Sequence, residues 1–129
     1  MRLAFVAVLA VAAGVSPALA DTASDFAAAK ANIAAAKLSH DSDLDMWCGA
    51  AVTLMSATTQ ADPASAQAMK DAATLLLQRG TAALAAAGLA RDKVDALTND
   101  YMTVAAAELL SRLDTPAYGQ QACEDAASK

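Results

Sequence analysis

From residue 43 onward the chain is a series of apolar stripes of helical period, separated by short polar breaks. No stretch shows the period-two alternation of a half-buried strand. Leu44, Trp47, Cys48, Ala51, Leu54 and Met55 recur at i, i+3, i+4 and i+7, which predicts a helix from about Asp43 that closes over residues 58–61. Before it, Phe26 and Ile33 lie seven apart on one face with Ala29 and Ala36, and predict a helix over 21–37 with Thr22 or Ser24 as its cap. The polar run from Ser39 to Asp43 breaks that helix and offers several caps for the next.

Asp62-Pro63 is a strong start signal, an N-cap aspartate followed by proline at the first helical position. The helix it opens should run to about Ala87 and stop at Gly88, with Met69, Ala73, Leu76, Gly80, Ala83, Leu84 and Ala87 facing inward. Gly80 on that stripe implies either close approach by another helix or a local bend. Asp92 and Asp95 resemble an acidic capping box for a fourth helix over 92–113. Its buried face is Val94, Leu97, Tyr101, Val104, Ala105 and Leu109, widened by Met102, Leu110 and Leu113. Asp114-Thr115-Pro116 repeats the cap-plus-proline signal, so a short last helix should begin at Pro116 and carry Tyr118 and Cys123. The expected fold is all-α: a small antiparallel bundle of four to five helices. The pair near 63–87 and 92–113 should form its frame, with shorter helices packed across it.

Residues 1–20 change the picture of where the chain works. Arg2, the apolar run Leu3–Ala13, the breakers Gly14 and Pro17, and Ala18-Leu19-Ala20 together read as a cleavable signal peptide. The single domain is then 21–129, exported and periplasmic, with no membrane span left after cleavage. Losing Arg2 takes the formal net charge from −5 to −6, an acidity that argues against nucleic acid and anionic lipid as partners. Alanine supplies 31 of residues 21–129, which favours helices, close spacing and a thin core.

Such a core benefits from a staple. Cys48 and Cys123 are the only cysteines, and in an oxidising compartment the simplest connectivity joins them. Closing a loop of that length is worth about 4–4.5 kcal/mol by loop-closure entropy. Trp47 should pack against the bridge. Asp41, Asp43 and Asp45 reproduce the opening spacing of a calcium loop, but Met46 stands at the glycine position and Val52 at the bidentate glutamate position. Caps and a solvated loop are the plainer account of the run, beside weak divalent binding. His40 is the only histidine; there is no G-x-S-x-G elbow, glycine-rich phosphate loop or C-x-x-C-H haem attachment. No catalytic constellation and no cofactor is therefore expected. Asp100 and Glu108 have no partner visible in the sequence.

Met46-Trp47-Cys48 near a helix start, joined to a distant Cys123 in a small exported helical chain, resembles the periplasmic acid-stress chaperones of the HdeA type. The chain departs from them in its adjacent tryptophan and cysteine and its longer inter-cysteine loop. It is more broadly similar to the alanine-rich, single-disulfide secreted helical proteins of proteobacteria, a resemblance that implies a fold and a compartment. Two functions follow as expectations. One is a binding module that holds a partner protein or a small apolar ligand on a helical face. The other is a stress chaperone that exposes apolar surface when conditions change. A retained apolar groove in the folded chain would favour the first.

Overall fold

The computed structural model describes residues 21–58 and 62–129. Among these the protein is all-α, with five helices: α1 (21–36), α2 (His40–Thr58), α3 (Pro63–Ala86), α4 (Arg91–Leu109) and α5 (Gln120–Ala127). The signal-peptide reading of 1–20 and the loop at 59–61 lie outside the described residues.

Local sequence explains most boundaries. Lys37 ends α1 in the left-handed region (φ 51°), and Ser39 then caps α2 by accepting the Ser42 N–H at 3.2 Å. The helix therefore begins at His40, three residues before Asp43, and draws Asp41 and Asp43 into its first turn, where the dipole favours them. Asp62 caps α3 as its pattern predicts, accepting from the Ser65 N–H (3.0 Å) and hydroxyl (2.8 Å). Gly88, at φ 96°, closes α3, and Leu89 N–H reaches back to Leu84 O in a Schellman-type turn.

Three expectations fail, two through local backbone and one at a tertiary contact. No side chain caps α4: it begins at Arg91 behind Ala90, so Asp92 falls inside the first turn and forms no capping box with Asp95. The same helix ends at Leu109 rather than 113, because Arg112 turns left-handed (φ 52°) and Leu113 N–H folds back onto Ala107 O. Leu110 and Leu113 consequently stand exposed instead of widening the core. Asp114 does not cap a helix at Pro116. One of its oxygens accepts from Thr115 N–H and the other pairs with Lys30 of α1 at 3.1 Å, so residues 110–119 form a strap and α5 starts only after Gly119.

The frame differs too. α2, not the α3–α4 pair, is the hub: it packs extensively on α3 and on α4, which touch each other only lightly. Every residue from Leu44 to Ala51 is buried, so the helix is covered on more than one side. α2 and α3 run antiparallel, since Met46 meets Gly80 while Gly49 meets Leu77. Both glycines are needed there. A β-carbon on Gly49 would lie 2.7 Å from Leu77 Cγ and 3.1 Å from the Leu77 backbone nitrogen, and one on Gly80 would lie 2.6 Å from Met46 Sδ. Close approach, rather than a bend, is therefore the role of Gly80.

Candidate functional site

Cys48 and Cys123 are bridged, with Cα atoms 5.3 Å apart, inside the range a disulfide requires. The bridge holds α5 against the middle of α2. Beside it, Trp47 packs edge-to-face with Tyr118 of the strap at 5.8 Å between ring centroids, and Tyr118 meets His40 at the same distance.

Around the bridge lies a polar network that the sequence did not disclose. Glu108, buried near the end of α4, accepts from Trp47 Nε1 (3.2 Å) and from Ala117 N–H of the strap (3.0 Å). Its one sequence signal was a charge interrupting the apolar run Val104–Leu110. Asp43 accepts from two hydroxyls, Tyr101 on one oxygen and Tyr118 on the other. Burial, reinforced by the Asp43 carboxylate, pushes both phenols well above the ordinary tyrosine range. Asp45 takes a bidentate pair from Arg79 at 2.7 and 2.6 Å, and Arg79 also donates to Ala126 O near the end of α5. The hydrogen bonds to the Asp45 carboxylate hold the guanidinium above its ordinary value. Nothing local to Arg79 could have shown this pair, whose members stand 34 residues apart.

The calcium-loop spacing thus meets a helix, where alternate residues diverge. Asp43 turns to the tyrosines and Asp45 to Arg79, while Asp41 is exposed. Among the described residues no group of three or more His, Cys, Asp or Glu converges on a metal position. Every buried side-chain nitrogen and oxygen described has a hydrogen-bond partner.

What this framework leaves open is a groove of about 650 Å³ between α2, α3, α5 and the strap. Its floor and walls are Trp47, Ala51, Val52 and Met55 of α2, Ala68, Met69 and Ala72 of α3, Leu109, and the Cys123 face of α5. Pro116, Tyr118 and Gly119 form one rim, with Gln120 and Glu124 beside them. The wall is almost wholly apolar, and the short side chains of Ala51, Ala68 and Ala72 leave the space between the helices unfilled. Met55 stays substantially exposed at one end. The strap on the rim is fastened by carboxylates at three points: Lys30 to Asp114, Ala117 N–H to Glu108, and Tyr118 to Asp43.

Among the described residues no helix is long and apolar enough to cross a membrane. The chain matches no protein-family model, no curated protein and no solved structure.

Proposed function

We propose that this protein is an exported binding module that holds a small apolar molecule in the groove between α2, α3 and α5. The observation that carries this reading is the groove itself. Its volume falls in the range of small-molecule sites, and its lining is apolar with few polar groups at the rim. An exposed apolar concavity has no structural purpose of its own in a chain short of core volume. Export is supported by the leader pattern of residues 1–20 and by a disulfide, which an oxidising compartment maintains.

Trp47, the only tryptophan, lines the groove and reports on it directly. An uncharged apolar fluorophore such as N-phenylnaphthylamine should bind saturably at one site per chain and change Trp47 emission. Val52→Glu, on the groove wall and half-buried, should abolish that binding while leaving the helical spectrum intact. No saturable binding, or binding indifferent to Val52→Glu, refutes the proposal.

A second reading, an acid-triggered chaperone, draws on the carboxylate fastenings of the strap. Protonation of these carboxylates at about pH 2–3, with Asp114 held below the ordinary value by Lys30, would release the strap and widen the apolar surface. The decisive measurement is light scattering of an acid-labile client at about that pH. Undiminished aggregation in several-fold excess of the protein excludes this alternative.

A further inference from the structure

We infer that the groove selects a cationic amphiphile, a protonated or quaternary amine carrying an apolar tail; this rests on the binding-module reading above. The two ends of the groove differ. Val52, Met55 and Met69 make one end purely aliphatic. Eight residues back along α2, about 12 Å at ~1.5 Å per residue, Trp47 lines the groove together with Tyr118, their rings inclined at 63°. Trp47 itself is buried, at 3 % exposed, so the ring open to a ligand is that of half-buried Tyr118. An aromatic face is a surface on which organic cations are held through the ring quadrupole.

Charge points the same way. Among the described residues that line the groove, Glu124 is the sole ionisable carboxylate or ammonium group, and no Lys, Arg or His joins it. Its side chain is oriented by Gln120, which donates to it at 2.7 Å. One feature opposes a cation: the amino end of α5, at Gly119 and Gln120, also borders the groove. A helix terminus is worth roughly half a positive charge and fades within one turn. The full negative charge of Glu124 exceeds it, and the chain as a whole carries −5. An anionic amphiphile such as a fatty-acid carboxylate would meet no cationic side chain among the described lining residues.

The test uses three probes with one tail and different heads, each below its micellar concentration, titrated against Trp47 emission in the full mature chain. Dodecyltrimethylammonium is the cation, dodecyldimethylamine oxide at mildly alkaline pH the uncharged member, and dodecanoate the anion. The cation should bind at least about tenfold tighter than the anion, with the uncharged probe between them. Glu124→Gln should narrow that gap by about threefold or more. Asp125→Asn removes the same charge from a neighbouring α5 position outside the groove lining and should leave the gap unchanged. Equal affinity for the three heads, tightest binding of dodecanoate, or equal effects of the two substitutions would overturn the charge selection while leaving the groove a binding site. Failure of all three probes to bind would instead overturn the binding-module reading itself.

Discussion

The two sides of α2 are built on opposite principles. Toward α3 it presents Met46 and Gly49 to Gly80 and Leu77, at a seam too tight for one added methyl group. Toward α5 and the strap it presents Trp47, Ala51, Val52 and Met55 to a groove of about 650 Å³. The first side is closed by backbone proximity and by the Arg79–Asp45 pair. The second is held open, spanned by a covalent bridge and by hydrogen bonds to carboxylates. Glycine and alanine are both small, yet they act differently here. Glycine lets two helices meet, whereas alanine on helices already spaced by other contacts leaves room between them.

The largest expected effect falls on the open side. Replacing both cysteines with alanine frees a connection across 75 residues and should lower unfolding free energy by about 4 kcal/mol, read from the urea midpoint. If the loss were under about 1 kcal/mol, the bridge would not be what keeps α5 at the groove. Next comes Asp43→Ala, which strips the acceptor from Tyr101, a fully buried phenol, and from Tyr118. A loss of about 2–3 kcal/mol is expected in the same measurement, since hydrogen bonds to a charged partner are the stronger kind.

The closed side can be probed by its two glycines. Gly49→Ala presses on Leu77 Cγ and backbone nitrogen, which cannot give without separating the helices, and should destabilise by about 1–3 kcal/mol. Gly80→Ala meets the thioether of Met46, which can rotate, while both substitutions gain the same helix propensity of about 1 kcal/mol. Gly80→Ala should therefore cost less than Gly49→Ala by about 1 kcal/mol, a difference set by the contact alone. The reverse order would mean that the Met46 pocket, not the backbone contact, sets the seam.

The smallest effects are those of pH, and they separate the two ends of the scale. The folded pKa values of Tyr101 and Tyr118 are raised, so the fold favours their neutral form. That contribution is complete below the unfolded tyrosine value near 10 and is lost as pH rises beyond it. Phenolate absorbance should therefore stay low past pH 10 and then rise together with the loss of helical signal. Independent, non-cooperative titration near 10 would contradict the burial of both rings. Asp62 and Asp114 shift the other way: Ser65 at the cap and Lys30 at the strap hold them below the ordinary carboxylate value of 3.8. Their support is present above that value and is lost as pH falls through the lowered one. Lys30→Met should weaken the acid sensitivity contributed by Asp114 and leave that of Asp62 in place.

What the sequence determined by itself is what short-range chemistry can specify. Helical period marked the elements, Asp62-Pro63 and Gly88 fixed the ends of α3, and two lone cysteines named their own partner. These are decided by backbone groups a few residues away, or by there being only one way to pair. Tertiary structure decided the rest. Asp114-Thr115-Pro116 carries the same start signal as Asp62-Pro63, but Lys30 claims Asp114 from across 84 residues and the helix does not form there. Glu108 and Arg79 have no local partner, and only the packed bundle brings Trp47 and Asp45 within their reach. The groove is the furthest from local control. It lies beyond the Gly49–Leu77 seam and beside the Cys48–Cys123 bridge, where α2, α3 and α5 face one another with alanines that have no atoms with which to close the space.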